Sequence, residues 1–168
     1  MGETPADATD RHVHIAVTQP SDRENRVTRL FRAPRERVYR LFTDPQTARY
    51  LWSHDPARVT LEEFDVKVGA RFAISVREPD GSTTRFTGEF TEVVPPERIV
   101  NTFSVTALPG VVALETDTFE EEGPFTRLTV VWKFATREDR DKMAGPGFED
   151  TMTETWDRMA DLLAESVT

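Results

Sequence analysis

Residues 148–163 constrain this chain more than any other stretch. Phe148, Met152, Trp156, Met159 and Leu163 recur at spacings of four, four, three and four, which puts them on one face of a helix. Glu149, Asp150, Thr153, Glu154, Asp157, Arg158, Asp161 and Glu165 fall mostly on the other face. An apolar stripe of this length has to be covered by the rest of the fold. It contains no Ile or Val, and methionine has soft rotamers that suit irregular surfaces. Taken alone, the pattern reads first as an ordinary core-facing stripe. The same side chains would also serve as the wall of a cavity.

The partner of that helix is legible upstream. Residues 59–135 carry strand signals throughout. Phe72, Ile74 and Val76 alternate with Ala73, Ser75 and Arg77, and Phe86, Gly88 and Phe90 share a face of the next strand. Glu78-Pro-Asp-Gly81 supplies a tight turn. Pro95-Pro96 ends a strand, because neither residue can donate to a ladder. Leu128, Val130, Trp132 and Phe134 share a face of the last strand, after a turn at Glu121-Glu-Gly-Pro124. Five or six consecutive strands with short turns predict an antiparallel meander. Ahead of it, Val27, Arg29 and Phe31 alternate in a first strand. Ala33-Pro34 opens a helix with Pro at its first position, and Asp44-Pro45 caps a second short helix through Leu51. Helices gathered on one side of an antiparallel sheet make an α+β fold. A long helix laid over a curved sheet leaves a cavity wherever the side chains do not meet.

Composition sets the outer limits. Residues 1–25 are polar and rich in Asp, Thr and Pro, and read as a flexible tail before a single domain at 26–168. Within that tail, residues 12–18 alternate weakly enough to allow an extra edge strand. The 30 Asp and Glu against 21 Lys and Arg leave a net charge of -9. That balance excludes a phosphate-backbone binder, so nucleic acid is not an expected partner. With no Cys, disulfides, thiolate nucleophiles and Cys-based metal sites are excluded. The start shows no signal-peptide pattern and no segment approaches a membrane span. The expectation is a cytoplasmic protein.

At this point the chain resembles a known family. Val27-Thr-Arg-Leu-Phe-Arg-Ala-Pro-Arg-Glu-Arg-Val-Tyr-Arg-Leu-Phe-Thr-Asp-Pro45 is similar to the opening of the START-like, or SRPBCC, helix-grip superfamily (the Bet v 1-like architecture). More narrowly, it resembles the AHSA1-like group, related to the activator of the heat-shock protein 90 ATPase. Three further segments fit: Val68-Gly-Ala-Arg-Phe72, Phe86-Thr-Gly-Glu-Phe-Thr-Glu-Val-Val-Pro-Pro-Glu-Arg-Ile-Val100, and residues 148–163 with their Trp-Asp-Arg-Met core. The resemblance covers residues 26–165. It departs at Tyr50-Leu-Trp-Ser-His-Asp-Pro56, where many relatives carry two adjacent aromatic residues and a Gly-Pro turn. The resemblance implies a curved antiparallel sheet gripping the C-terminal helix. It also implies binding of lipids, polyketides or other apolar molecules between them, with cyclisation catalysed in some members.

Few groups offer chemistry. His54 lies beside Trp52 and Asp55 and is read as a loop histidine at the expected mouth of the cavity. His12 and His14 lack a third metal ligand in view, so no metal is expected. Glu115, Asp117 and Phe119 share a strand face. With Phe119 inward, both carboxylates enter the cavity, where burial raises their pKa values. In the opposite phase Leu114, Thr116 and Thr118 point inward and the acids stay in water. The cost of burying unpaired carboxylates favours the second phase.

The expected ligand-binding wall comprises Trp52, Phe72, Ile74, Phe86, Gly88, Phe90, Trp132 and Phe134, with Phe148, Met152, Trp156 and Met159 facing them. No catalytic residue and no cofactor is assigned. The expected partner is a small apolar molecule; a homodimer is left open and a chaperone partner is not expected. The rival reading is a cyclase or hydrolase using His54 or the Glu115/Asp117 pair. A chaperone-cofactor role, implied by the family name alone, comes third.

Overall fold

The helix stripe and the meander meet as expected, on a sheet wider than one helix can cover. The structure is a computed structural model that describes residues 14–165. In chain order the elements are β1 (Ala16–Ser21), β2 (Glu24–Phe31), α1 (Arg35–Thr43), α2 (Pro45–Trp52), a 3-10 turn (Pro56–Arg58), β3 (Val59–Phe64), β4 (Arg71–Arg77), β5 (Thr83–Val94), β6 (Arg98–Val105), β7 (Ala113–Glu122), β8 (Phe125–Lys133), α3 (Arg137–Met143) and α4 (Phe148–Glu165). The strands form one antiparallel eight-stranded sheet in the order β1-β2-β8-β7-β6-β5-β4-β3. The α1–α2 segment carries the chain from β2 to the far edge at β3. Register shifts in β1–β2, β3–β4 and β5–β6 mark the irregular points of the ladder, and such bulges bend a strand and increase its twist. This is the α+β helix-grip architecture.

Local signals explain most of the elements. Asn25, Val27, Arg29 and Phe31 are buried along β2, every second residue as the pleat requires. Asp44 caps α2 by accepting from the Gln46 N–H at 2.9 Å. Pro34 sits at the N-cap of α1, one position before the first helical residue expected of it. The β4–β5 turn closes with Gly81 N–H donating to Glu78 O at 3.0 Å, and Gly81 takes φ 88°. That conformation suits glycine.

Two elements differ from the expectations. First, the sheet starts at Ala16, inside the stretch read as a tail and overlapping the edge strand allowed at 12–18, with Ala16, Val17 and Thr18 paired to Thr28, Val27 and Arg26. The side chains of β1 are mostly exposed, so the strand rests on backbone pairing that composition does not register. His14 is described and exposed, whereas His12 lies outside the described residues. Second, α3 has no apolar periodicity to announce it. It is held by polar contacts: Thr136 caps it by accepting from Asp139 N–H at 3.1 Å, the buried Arg140 donates to Ser21 O at 2.9 Å, and Asn25 Nδ2 donates to Arg140 O at 3.1 Å.

β1 is therefore expected to add stability. Deleting residues 1–22 strips β2 of its edge partner and Arg140 of its acceptor. The thermal midpoint should fall by about 4–8 °C, the response to a loss of ~2 kcal/mol in a domain of this size. Calorimetric melts of both chains check this; an unchanged midpoint would show that β1 contributes nothing.

Candidate functional site

Between α4 and the concave face of the sheet lies a cavity of about 670 Å³, within the range of small-molecule sites. The stripe of α4 divides there. Trp156, Met159 and Leu163 are buried, whereas Phe148 and Met152 keep some exposed surface. The cavity is walled by Trp52 from α2, Phe72 and Ile74 from β4, Phe86 and Phe90 from β5, Trp132 from β8, and Phe148, Met152, Trp156 and Met159 from α4. Aromatic contacts tie the walls together: Trp52 to Phe86 at 4.6 Å, Phe72 to Phe90 at 5.4 Å and Trp132 to Phe148 at 5.8 Å between ring centroids. Phe42 of α1 and Phe103 of β6 also line the space; the sequence reading places neither in the wall.

Three residues expected at the site lie elsewhere. Phe134 is buried but does not border the cavity. His54 is exposed on the loop after α2 and does not border it either. Gly88 is absent from the lining for a steric reason. A Cβ there would lie 1.9 Å from Thr102 O and 2.4 Å from Cε1 of Phe72. The missing side chain lets the Phe72 ring lie over β5 and lets β6 approach.

The phase of β7 is the principal correction. Asp117 is 4% exposed and Phe119 1%, whereas Leu114 is 42% exposed. Glu115 and Asp117 both line the cavity, opposite to the solvated phase expected from the cost of burial. Phe119 holds this phase: Tyr39 and Phe42 both meet its ring edge-on, at 5.3 Å. With a period of two, an inward Phe119 takes Asp117 and Glu115 in with it.

The sheet register builds a polar row around Glu115. Asn101 on β6 and Trp132 on β8 flank it directly, and Phe90 and Asn25 extend the row on either side. Asn101, which the sequence reading missed, is 3% exposed and donates its Nδ2 to Thr102 O at 2.9 Å. One row along, Asp117 sits between Ile99 and Val130.

Burial dominates the electrostatics. Desolvation pushes Glu115 up to about 7, with Asn101 and Trp132 drawing it part of the way back. Desolvation raises Asp117 well above the ordinary carboxyl range, and repulsion by Glu115 adds to it. Glu115 retains some accessible surface, and that surface faces the cavity. The buried Trp132 Nε1 has Glu115 as its neighbour, whereas two buried polar atoms of the lining, Asp117 Oδ1 and Trp52 Nε1, have no hydrogen-bond partner. Buried polar groups are seldom left so. The third titratable lining residue, Lys142, lies 3.7 Å from Glu138 and 4.0 Å from Asp139. Among the described residues, no group of three or more His, Cys, Asp or Glu is placed to hold a metal ion, and no helix is long and apolar enough to cross a membrane.

The carboxyl pair should leave a signature in stability. Its folded pKa values lie above the unfolded ones, so the folded state binds more protons and stability falls as pH rises from about 4.5 through 7. Glu62, Asp80 and Glu122, lowered by bonds from Ser75, Ser82 and Arg127, act in the opposite sense and only at more acid pH. The thermal midpoint should therefore drop between pH 5 and pH 8. In a Glu115→Gln/Asp117→Asn variant the slope should flatten, with a higher midpoint than wild type at pH 8. Parallel slopes in the two proteins would contradict the burial of the pair.

Comparison with known proteins places this architecture. The profile of the family described as "Activator of Hsp90 ATPase homolog 1-like protein" matches residues 32–166. Among curated proteins, no sequence matches the chain. Solved structures share its fold. A protein of Rhodobacter sphaeroides superposes with a TM-score of 0.82 at 22% identity, covering 91% of this chain and 99% of its own. Ms6760 of Mycobacterium smegmatis gives 0.75 at 23% identity over 91% and 99% of the two chains. DynU16, from the dynemicin biosynthetic locus, gives 0.62 at 22% identity over 84% of this chain and 48% of its own. With its two short helices, curved antiparallel sheet and gripped C-terminal helix, the chain belongs to the activator of Hsp90 ATPase homolog 1-like family of START-like, or SRPBCC, domains.

Proposed function

We propose that this protein binds a small, largely apolar molecule in the cavity between α4 and the sheet, with one polar group of that molecule seated on Glu115 and Asp117. The observation that carries this reading is the conjunction of an aromatic wall with two unpartnered buried polar atoms, Asp117 Oδ1 and Trp52 Nε1, around one cavity. A plain core would have closed over the apolar surface, and its buried polar atoms would be satisfied. A ligand with an apolar body and a polar end answers both features.

A second reading is acid–base catalysis on that same molecule, of the cyclase or hydrolase type. The inward carboxyl pair favours it, since a group titrating near neutral pH can both give and take a proton. His54, exposed and outside the lining, lends it no support.

Native mass spectrometry of the purified protein should reveal a co-purifying small molecule. A denaturant melt combined with titration of a fluorescent hydrophobic dye tests the wall. Trp156 packs on Phe31 at 5.9 Å on one side and borders the cavity on the other. Trp156→Ala should therefore cost about 2–3 kcal/mol, below the ~3–5 kcal/mol of a fully packed aromatic, while dye affinity changes several-fold. A full core-sized loss with no dye binding by either protein would remove the cavity reading. If turnover of a bound compound is found, Glu115→Gln should lower kcat and leave KM nearly unchanged; an unchanged kcat would eliminate the catalytic alternative.

A further inference from the structure

Among the described residues, the cavity is lined by two acids, Asp117 buried and Glu115 partly so, and by one cation, Lys142. Desolvation, Asn101, Trp132 and mutual repulsion account for the shifts of Glu115 and Asp117, and no positive group is among the causes. The nearest candidates are committed elsewhere. Lys142 of α3 is half-exposed beside Glu138 and Asp139. Arg29 of β2 is buried, with its Nη1 2.7 Å from Asp157 Oδ1 of α4, and Asp161 of α4 also acts on it. Tyr39 of α1 packs against Phe119. From β6 and β8, Asn101 and Trp132 face the pair and carry no charge. Buried carboxyls without a counter-ion are held neutral by protons or neutralised by a bound cation.

We propose that the molecule bound in this cavity is an apolar amine, held as its ammonium ion against Glu115 and Asp117 and flanked by the aromatic walls. The inference rests on the cavity being a ligand site. Asp117 Oδ1, more than nine-tenths buried and without a partner, supplies an acceptor for an ammonium N–H. Trp132 and Trp156 border the same space, and their faces favour a cation within about 6 Å. The chain's net charge of -9 biases encounter towards cationic ligands. Binding exchanges one positive charge for another: the ammonium enters, a carboxyl proton leaves to solvent, and the ion pair forms in place of the neutral acid.

The test uses two isosteric probes, 1-naphthylmethylamine and 1-naphthylmethanol, titrated calorimetrically into the full chain in buffers of different ionisation enthalpy. The amine should bind at least about tenfold more tightly than the alcohol at pH 7, the scale of one charge-assisted contact. It should release between about half and one proton per molecule, and its affinity should rise towards tenfold per pH unit between pH 5.5 and 6.5. Glu115→Gln/Asp117→Asn should erase the preference and the proton release while still binding the alcohol. Should the double variant not fold, Asp117→Asn alone should cut the proton count. Equal affinities without proton release in wild type would overturn the amine assignment and leave the cavity reading standing. Failure of both probes and of a hydrophobic dye to bind would overturn both.

Discussion

One helix has to cover a sheet that is too wide for it, and most of the molecule follows from that mismatch. The 18 residues of α4 span about 27 Å with a width of ~10 Å. Eight strands at ~4.8 Å spacing span about 34 Å. Its C-terminal half is anchored on the neighbouring layer: Arg37 Nη2 of α1 donates to Leu163 O at 2.7 Å, and Arg158 Nε donates to Tyr50 O of α2 at 3.0 Å. Arg29 of β2 reaches Asp157 from below. In the N-terminal half, Phe148 meets Trp132 edge-on and Trp156 packs on Phe31, both long aromatic side chains rising from the sheet. Where these fail to touch, a cavity remains, and all three Trp residues of the chain line it.

The carboxyl pair illustrates how apolar packing overrides a local electrostatic preference. Burying Phe119 is worth about 2–3 kcal/mol of transfer free energy, and its ring is seated between Tyr39 and Phe42. The opposing cost of burying two carboxylates is reduced when they take up protons, as their raised pKa values express. Ala113 and Phe119, both buried, bracket the acids on the same strand face. A strand cannot turn two middle residues outward while its ends point in without a bulge, and β7 pairs regularly with β6 and β8.

Legibility in the sequence tracked the range of the physics. The stripe of α4, the capping of α2 by Asp44 and the turn at Gly81 depend on neighbours a few residues away, so periodicity and turn chemistry revealed them. The strand β1 and the helix α3 depend on partners far along the chain: β1 on β2 through backbone bonds, and α3 on Asn25 and Ser21 through Arg140. The weak alternation of residues 12–18 only allowed β1, and α3 leaves no apolar pattern to read. The sequence reading places Gly88 in the cavity wall, whereas it is absent from the lining. Its lack of a side chain makes room for Phe72 and Thr102 O within the sheet itself.

The α+β class, the family and the order from β2 through β8 to α4, α3 apart, were legible in the sequence alone, because each rests on local pattern or on motif spacing. The sequence also determined that aromatic and methionine side chains would wall any cavity beneath the final helix. Only the tertiary structure decided which face of β7 looks inward, and hence that Asn101, Glu115, Asp117 and Trp132 come together. A strand's alternation is symmetric under a shift of one residue. The choice between its two faces is made by long-range packing of Phe119, Tyr39 and Phe42, whose contact no spacing in the sequence records.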